Sequence, residues 1–206
     1  EFSVTLDGAL GMQHVYPLLA AAAVAHALHI SPQTYKEALQ QHIPPPGRMR
    51  VLPGVKGTTL IDDTYNASPA AAESALEVLG ALECSGKKIA VLGDMMELGL
   101  YSEHAHHELG KLVPEHATHL VAVCSRAQGI AEEAIKAGMP TEKVQWFGTA
   151  READKPVELM LEEGDVVLVK GSQSMRMERI VEEIMLHPEK REELLVRQDE
   201  YWQAKV

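Results

Sequence analysis

Residues 58–76 read TTLIDDTYNASPAAAESAL and carry the chain from a predicted strand into a predicted helix. An apolar run, Thr59–Asp63, ends on two adjacent acids, and the Ser-Pro pair at 68–69 then opens a segment of helical period. Apolar residues recur there at spacings of three, four and seven, which predicts a buried helix face made of Ala72, Ala75, Leu76 and Leu79. The stretch therefore predicts a strand, a polar turn and a helix, the repeating unit of α/β proteins.

The same unit recurs on the carboxy-terminal side of this stretch. Each predicted strand precedes a segment of helical period, and one such segment opens with the capping box Thr149–Glu152. The predicted strands are Thr59–Asp63, Lys88–Leu92, His119–Val123, Val144–Phe147 and Asp165–Val169. This succession predicts an α/β fold, a mostly parallel sheet with helices on both faces. An extra strand, Met49–Val55, is expected at an edge of the sheet.

The segment before the predicted sheet has a different succession of predicted elements. Residues 1–43 predict a short strand, Phe2–Leu6, then a buried Ala-rich helix within Val15–Leu28, and a second helix capped by Ser31. The sequence IPPPGRMR, residues 43–50, cannot continue a helix, so a domain boundary is expected at 43–48. Residues 188–206 are rich in charge and predict a surface helix or a loosely ordered tail. The first residue is Glu1 rather than Met, so we expect the chain to be part of a longer protein.

Composition narrows the functional class. The 206 residues are 46% hydrophobic, which suits one or two globular domains. Thirty acids against 19 bases give a net charge of -11, which disfavours a nucleic-acid partner. The longest apolar stretch, Val15–Leu28, is shorter than the roughly 20 residues of a membrane span, so no membrane insertion is expected. The isolated Cys84 and Cys124 fit buried reduced thiols of a cytosolic protein.

Polar side chains follow the predicted strands at their carboxyl ends, where open parallel sheets bind ligands. The segments are DDTYN at 62–66, GDMME at 93–97, CSR at 124–126 and KGS at 170–172. Two adjacent acids on a strand point to opposite faces, so only one of Asp62 and Asp63 is expected to face a ligand. Such an acid can bind a ribose hydroxyl, hold magnesium through water, or pair with a basic residue. Equally, one acid could cap the next turn while the other forms an ordinary ion pair.

Other motifs limit the chemistry. Lys170 precedes Gly-Ser at a strand end, which suits an anionic ligand group. Neither G-x-x-x-x-G-K-[ST] nor a strand followed by G-x-G-x-x-G occurs, so the chain alone is not expected to cradle a triphosphate. His104 and His107 have a spacing compatible with a metal site, but a solvated helix face is the commoner explanation, and no metal site is predicted.

Three strings together resemble one known family. GRMRVLPGVKGTTLIDDTYNASPAAAESAL, IAVLGDMMELGLYSEHAHHELG and GDVVLVKGSQSMRMERIVE are similar to the carboxy-terminal domain of the Mur ligases, over about residues 9–186. The resemblance implies a Rossmann-like domain at 47–187 and a tail or helix at 188–206. Residues 1–46 would then be the helical end of a central ATP-binding domain.

The resemblance also implies an activity. The strings match best those family members that add D-alanyl-D-alanine to UDP-N-acetylmuramoyl-tripeptide in peptidoglycan synthesis. In these ligases ATP phosphorylates the peptide carboxylate, and the dipeptide amine attacks the acyl phosphate. The expected partners are therefore ATP, Mg²⁺ held mainly by the central domain, and the two peptide substrates. We expect a cytoplasmic monomer, and no activity from this chain alone because it lacks the phosphate-binding loop.

Site residues carry over from the family motifs. Arg48, Asp63 and Lys170 are the expected catalytic residues, and Arg48, Asp63 and Tyr65 match positions on the nucleotide side. Positions facing the dipeptide cleft are matched by Asn66, His106, Lys170, Ser172 and Arg176, with Lys170 or Arg176 preferred for the dipeptide carboxylate. The family's adenine-contacting Asn is replaced by Pro17 in GMQHVYPLLA, so His14 or Gln13 is the expected substitute.

Two alternatives remain open from the sequence. A related amide ligase of the folylpolyglutamate or cyanophycin type would share fold and mechanism but take another amino acid. A phospho-receiver module would use Asp62, Asp63, Asp94 and Lys170 as its acidic pair, phosphorylated acid and lysine.

Overall fold

A six-stranded sheet forms the centre of the structure, a computed structural model that describes residues 3–204. The order across the sheet is β1-β2-β6-β3-β4-β5, with β1 antiparallel to β2 and all other neighbours parallel. The strands are β1 Arg50–Pro53, β2 Thr59–Asp63, β3 Lys88–Gly93, β4 His119–Val123, β5 Val144–Phe147 and β6 Val166–Lys170. The predicted mostly parallel sheet and the edge position of the extra strand are confirmed, and each boundary differs from prediction by at most two residues; the antiparallel direction of β1 is a finding of the structure.

Helices cover both faces of the sheet, as predicted. On one face lie α3 Pro69–Ala81, α4 Ser102–His116 and α5 Gln128–Lys136, and on the other lie α6 Ala150–Met160 and α7 Glu178–Ile184. The predicted face of α3 is fully confirmed, because Ala72, Ala75, Leu76 and Leu79 are all buried. The Thr149 hydroxyl caps α6 by accepting from the Glu152 amide at 3.2 Å, as the capping box predicts.

Each central strand supplies both cores, because successive side chains of a strand point to opposite faces. In β2, Ile61 packs in the core beneath α3 and Leu60 in the core beneath α7. In β6, Leu168 joins the first core and its neighbours Val167 and Val169 join the second. This double burial explains why the strands are continuously apolar, since parallel strands are covered on both faces.

The amino-terminal helices lie beside this sheet. They are α1 Val15–Ala27 and α2 Pro32–Gln40, and the Ser31 hydroxyl caps α2 by accepting from the Thr34 amide at 3.1 Å. The prediction that α1 is buried is wrong for this chain: within α1, Ala25 is buried while apolar side chains such as Leu19 and Val24 are each 59% exposed. The residues that pack against α1 belong mainly to α2 and to a short 3-10 turn at 12–14, which cover one side of an all-apolar helix.

The predicted strand Phe2–Leu6 is not where the first pairing occurs. Phe2 lies outside the described residues, and residues 3–6, the described part of this segment, form no strand. Pairing begins a few residues later, where Ala9 bridges Arg50 and the Val51 amide donates to the Gly8 carbonyl at 2.9 Å. The amino-terminal segment therefore adds to the free edge of β1.

The carboxy-terminal segment packs against the sheet domain. It contains two single-turn helices, α8 Arg191–Leu194 and α9 Glu200–Gln203, and buries Leu195 and Arg197. Of the two alternatives expected for this segment, a surface helix or a loosely ordered tail, residues 188–204 fit the helical one, as two short helices. No helix within residues 3–204 has the length and apolar composition of a membrane span. Cys84 and Cys124 are free thiols, half-buried rather than fully buried.

Candidate functional site at the carboxyl edge of the sheet

The loops that follow β2, β3 and β6 meet at the carboxyl edge of the sheet. Ser172, just after β6, is buried and joins the other two loops: its hydroxyl accepts from the Met96 amide at 2.8 Å and donates to the Ala67 carbonyl at 3.4 Å. The Ser172 amide donates to the Asp94 carbonyl at 3.0 Å. Parallel strands place these loops at the same edge, and Ser172 fixes their spacing.

Asp63 and Lys170 form a buried ion pair at this edge. They are partners in the β2–β6 register, and Lys170 Nζ lies 2.5 Å from Asp63 Oδ2, with side-chain exposures of 3% and 11%. Lys170 Nζ also donates to the Asn66 carbonyl at 3.0 Å, and the Met49 amide donates to Asp63 Oδ1 at 3.1 Å. A buried pair persists only when its remaining polar atoms are hydrogen-bonded, and these contacts meet that requirement.

Asp62 has a different environment on the other side of β2. It is fully buried and accepts from the Gly47 amide at 3.0 Å, the Thr64 amide at 3.2 Å and the Thr64 hydroxyl at 2.6 Å. Burial raises the pKa of Asp62 to about 6, although these hydrogen bonds oppose the rise. The two acids therefore differ in role: Asp62 holds the backbone of Gly47 and Thr64 through hydrogen bonds, and Asp63 faces the cleft.

Both acids attach the Pro-rich boundary to the sheet. Gly47 has a φ of 67°, and a Cβ there would lie 2.8 Å from the Tyr65 amide nitrogen, so only glycine fits this approach. The Tyr65 amide in turn donates to the Gly47 carbonyl at 3.0 Å. Residues 47–49 are thus fixed on the loop after β2, and the exposed Arg48 lies between two anchored neighbours.

Arg48 lies at the mouth of a small pocket. Its guanidinium stacks 3.8 Å from the centre of the Tyr65 ring, a cation–π arrangement that leaves the guanidinium edge open to solvent. The pocket, about 210 Å³, is lined by Gln13, Arg48, Asp63, Asn66, Ala67, Ser68, Ala71, Ser74 and Lys170. A guanidinium, a carboxylate and hydroxyl groups suit a ligand with both anionic and hydroxyl groups.

His14 and Gln13 differ in their availability. His14 is 9% exposed, and its Nε2 is hydrogen-bonded to the Arg48 carbonyl at 2.9 Å, so the ring holds the backbone of Arg48. Gln13 is exposed, and it lines both the Asp63 pocket and an adjacent apolar pocket beside Pro17. Gln13 is therefore better placed than His14 to contact a ligand.

The structure corrects the expectation for His106. This residue is 1% exposed and lies within the first turns of α4 rather than in the cleft. Its Nε2 accepts from the Met95 amide at 2.9 Å, and its Nδ1 lies 2.7 Å from the Ser102 carbonyl. Because an amide can only donate, Nε2 accepts and Nδ1 donates, so both ring nitrogens hold the loop after β3.

Arg176 also lies away from the Asp63 pocket. It is 5% exposed, and its Nε donates to Glu178 Oε1 at 2.5 Å while Nη1 donates to the Trp202 carbonyl at 2.5 Å. The preferred contact with a dipeptide carboxylate is corrected accordingly, because this guanidinium is committed to a buried acid. Sequence reasoning missed Glu178, at the start of α7, and Arg197, in the charged carboxy-terminal segment, because the sequence gives no signal that either charged residue is buried.

Asp94 fixes the loop after β4. Its Oδ1 accepts from the Arg126 amide at 2.9 Å and the Ala127 amide at 2.7 Å. Burial raises the pKa of this carboxyl, and the backbone hydrogen bonds act in the opposite direction. Burial likewise raises the pKa of the Cys124 thiol to about 11, which makes it a poor nucleophile.

The histidines of α4 interact with neighbouring glutamates. His104 Nδ1 lies 3.9 Å from Glu108, and His107 Nδ1 lies 3.6 Å from Glu133. Within residues 3–204, no group of three or more His, Cys, Asp or Glu side chains is arranged to hold a metal ion.

Comparison with known proteins identifies the family. The model of the Mur ligase, glutamate ligase domain family matches residues 47–173, more than half of the chain. The chain belongs to the Mur ligase family. Known members of the family can therefore be compared with this chain at the Asp63–Lys170 edge.

Individual Mur ligases are similar over most of this chain. UDP-N-acetylmuramoyl-tripeptide–D-alanyl-D-alanine ligases from Bacillus subtilis and Escherichia coli are 30% and 29% identical to it, over 87% and 83% of the chain. The chain spans about two fifths of these relatives, 39% and 36% of their lengths. The crystal structure of MurF ligase from Thermotoga maritima in complex with ADP superposes with a TM-score of 0.73 at 30% identity, covering 92% of this chain and 42% of that one.

Membership of the Mur ligase family removes one alternative. The phospho-receiver interpretation is wrong, and the structure gives a physical reason: Asp94 holds the β4 loop through two backbone amides, and Lys170 is paired with Asp63. A folylpolyglutamate synthase/dihydrofolate synthase from Yersinia pestis shares the fold, with a TM-score of 0.58 at 20% identity.

Proposed function

We propose that the chain is the dipeptide-presenting, carboxy-terminal part of an ATP-dependent ligase that joins D-alanyl-D-alanine to UDP-N-acetylmuramoyl-tripeptide in peptidoglycan synthesis. The observation that carries the proposal is the carboxyl edge of the sheet, where Arg48, Asp63 and Lys170 surround one pocket. This edge lies largely within the region matched by the family, and the relatives from Bacillus subtilis and Escherichia coli carry this activity in their names.

The proposed reaction has two steps. The carboxylate of the tripeptide attacks the γ-phosphorus of ATP, which forms an acyl phosphate and releases ADP. The amine of D-alanyl-D-alanine then attacks the acyl carbon, phosphate leaves, and the nitrogen loses a proton as the amide forms. Both steps concentrate negative charge on phosphoryl oxygens, so catalysis depends on positioned positive charge and on exclusion of water.

Arg48 is the residue proposed to meet the phosphates. It is exposed, and the stacked Tyr65 ring limits its freedom, so less conformational entropy is lost when it binds an anion. Asp63 is proposed to accept a hydrogen bond from a ribose hydroxyl, since one edge of its carboxylate opens into the pocket. Gln13 is proposed for the adenine side, and His14 for holding the Arg48 backbone.

Lys170 receives a different role from the one expected from the sequence. Its ammonium contacts Asp63 at 2.5 Å and the Asn66 carbonyl at 3.0 Å, so it orients the acid and the loop beside it. We assign Lys170 to positioning Asp63 rather than to binding the dipeptide carboxylate. His106 and Ser172 are assigned to holding the loops after β3 and β6 at fixed spacing.

The amino-terminal helices support a two-domain site. Helix α1 is apolar on all sides, and Tyr16, Leu19 and Val24 are at least 59% exposed, the composition of a helix that another part of a protein covers. The family match begins at residue 47, directly after the expected boundary at 46. We propose that residues 3–46 belong to a preceding ATP-binding domain and that the Asp63 pocket is completed when the two domains close.

Magnesium is assigned to that preceding domain. The described residues 3–204 contain no cluster of three or more candidate ligands, so these residues by themselves offer no complete cage for the ion. The contribution proposed for this chain is therefore electrostatic and steric, through Arg48, Asp63 and the loops that position them.

The decisive experiment measures ADP release by the longer protein that contains this chain. With UDP-N-acetylmuramoyl-tripeptide and ATP present, ADP should form only when D-alanyl-D-alanine is added, and the peptide product should gain both alanines. ADP release that depends on L-glutamate or another amino acid instead would favour the related amide ligases. Arg48→Ala should lower turnover about 100-fold. The matched control, Lys136→Ala, removes an exposed charge at the far end of α5 and should leave turnover unchanged.

A further inference from the structure

A completely buried acid at the start of α7 joins two arginines. Glu178 is 0% exposed; its Oε1 accepts from Arg176 Nε at 2.5 Å and its Oε2 accepts from Arg197 Nε at 3.2 Å. Both arginines are themselves buried, with exposures of 5% and 8%. A buried carboxylate without partners is strongly unfavourable, and Arg197 supplies the partner of Glu178 Oε2 when the carboxy-terminal segment is docked.

Arg197 reaches beyond Glu178 to the loop after β2. Its Nη1 donates to the Tyr65 carbonyl at 3.2 Å, and its Nη2 donates to the Thr64 carbonyl. One planar guanidinium therefore binds a carboxylate and two successive carbonyls, and its rigid fork fixes the direction of both peptide groups. Arg197 adopts a φ of 60°, an uncommon conformation for a residue with a side chain, which its contacts stabilise.

Aromatic and backbone contacts hold the same segment. The Trp202 ring lies 5.6 Å from the Arg176 guanidinium and 5.8 Å from that of Arg197, measured to the ring centre. The Trp202 carbonyl accepts from Arg176 Nη1 at 2.5 Å. Residues 195–203 thus pack as one unit with the buried Arg176 and Glu178. This unit supports the loop at 64–66 from the α7 side of the sheet.

The supported loop carries the groups that face the proposed nucleotide. The ring of Tyr65 stacks on Arg48, its amide donates to the Gly47 carbonyl, and the next carbonyl, of Asn66, accepts from Lys170. A rotation of the 64–65 peptide groups would therefore move the Tyr65 ring on which Arg48 stacks. It would also move the Asn66 carbonyl, one of the two groups that contact Lys170. Nothing in the sequence connects residue 197 with this loop, more than 130 positions away.

We propose that Arg197 is a positioning residue of the nucleotide side of the site: its guanidinium clamps the 64–65 carbonyls and so holds Tyr65 beneath Arg48. This inference deepens the proposed function and rests on it. The carboxy-terminal segment is then a working part of the ligase site, contributed from outside the region matched by the family.

Hydrogen exchange in the 206-residue chain tests the clamp without any assay of activity. In Arg197→Ala, the amides of Thr64, Tyr65 and Met49 should exchange at least about tenfold faster, while those of β3 and β4 keep their protection. Arg191→Ala is the matched control, because Arg191 lies in the same segment but pairs with Glu182 at the surface. It should exchange like the wild type.

The lysine variant covers the case in which Arg197→Ala fails to fold. Arg197→Lys keeps a positive charge beside Glu178 but replaces the fork by a single ammonium, which cannot hold both carbonyls in the same geometry. It should retain the protection of β3 and β4 and show an intermediate increase of exchange at Thr64 and Tyr65. Wild-type exchange at these two amides in both variants would overturn the clamp.

Steady-state kinetics of the longer protein tests the positioning role. Arg197→Ala should raise KM for ATP about tenfold and change KM for D-alanyl-D-alanine less than about twofold, with Arg197→Lys between the two. A merely structural role would instead lower the active fraction and leave both KM values unchanged, and that result would overturn the proposal. If the protein does not use D-alanyl-D-alanine at all, the proposed function fails, while hydrogen exchange still decides whether the clamp exists.

Discussion

At the level of single residues, the partners of each side chain decide how two identical neighbours behave. Asp62 is enclosed by Gly47 and Thr64, and its burial raises its pKa to about 6 although three hydrogen bonds oppose the rise. Asp63 faces Lys170 at 2.5 Å and opens into the pocket. The alternation of side chains along β2 separates these environments, since adjacent residues of a strand cannot share one face.

Asp62 should make stability depend on pH. Its folded-state pKa of about 6 lies above the ordinary 3.8, so between these values the folded protein binds more protons and loses stability as pH rises. The loss amounts to about 2 kcal/mol between pH 4 and pH 6.5, at roughly 1.4 kcal/mol per pKa unit. Asp62→Asn removes this titration, so the substitution should destabilise most at pH 4 and least above pH 6.

Urea unfolding of the wild type and Asp62→Asn at a series of pH values measures this difference. Asp7→Asn, at an exposed acid, is the control and should give a constant difference from the wild type. A constant difference for Asp62→Asn as well would show that burial does not govern the titration of Asp62.

The Asp63–Lys170 pair should behave as one unit. Lys170→Met leaves a mostly buried carboxylate without its cation and should destabilise the chain by about 3 kcal/mol. Adding Asp63→Asn should recover part of this loss, because the double variant contains no unpaired charge, and the coupling energy should be about 1–3 kcal/mol. A double-mutant cycle in urea measures it, with the exposed pair Glu108–Lys111 as a control that should show little coupling. Independent, additive effects at 63 and 170 would refute the positioning role of Lys170.

At the element scale, the helices differ in how much of their surface the chain itself covers. Helix α3 presents a small-residue apolar face to the sheet, and each residue of that face is buried. Helix α1 is apolar all round, and its described neighbours cover little of it. Composition alone cannot distinguish these cases, because an apolar helix is buried only where something packs against it.

The exposed face of α1 should bind hydrophobic probes. The 206-residue chain should enhance the fluorescence of anilinonaphthalene sulfonate, and Leu19→Ser with Val24→Ser should remove most of the enhancement, since both side chains are 59% exposed. The urea midpoint of the sheet domain should stay unchanged. Leu159→Ser is the control, because Leu159 on α6 is 69% exposed yet isolated from that face. Equal effects of the α1 and α6 variants would contradict the interpretation that another part of the protein packs on the exposed face of α1.

At the scale of the whole molecule, the site lies at a junction. The pocket is formed by the amino-terminal segment, through Gln13, by Arg48 at the start of the sheet domain, and by the strand ends, through Asp63 and Lys170. The acids of β2 fix the segment at 47–49 to the sheet, so the α1–α2 helices attach through a short anchored connection. Such an arrangement suits two domains that close on a ligand, with the anchored connection near the hinge.

The isolated chain should therefore be inactive. It contains no G-x-x-x-x-G-K-[ST] loop, so the purified 206 residues should release no ADP from ATP, with or without both peptide substrates. The longer protein, assayed side by side, is the positive control. ADP release by the purified chain would refute the assignment of phosphate binding to a preceding domain.

The succession of strands and helices can be predicted from local sequence patterns. The period of the apolar residues, the Ser-Pro helix start and the Thr149 capping box are local signals, and they located the five parallel strands, the edge strand and the buried face of α3. The placement of the acids at the end of β2 beside the lysine at the end of β6 also followed, because the carboxyl ends of parallel strands must share an edge.

Which polar groups contact one another depends on the folding of the complete chain. His106 and Arg176 match cleft motifs in the sequence, yet the structure turns both inward, onto the Met95 amide and onto Glu178. Arg197 stands in a segment that appears merely charged, yet it binds the loop at 64–65. The physical reason is that a polar side chain acts through the partner it reaches, and contacts between residues distant in sequence depend on the packing of the whole chain.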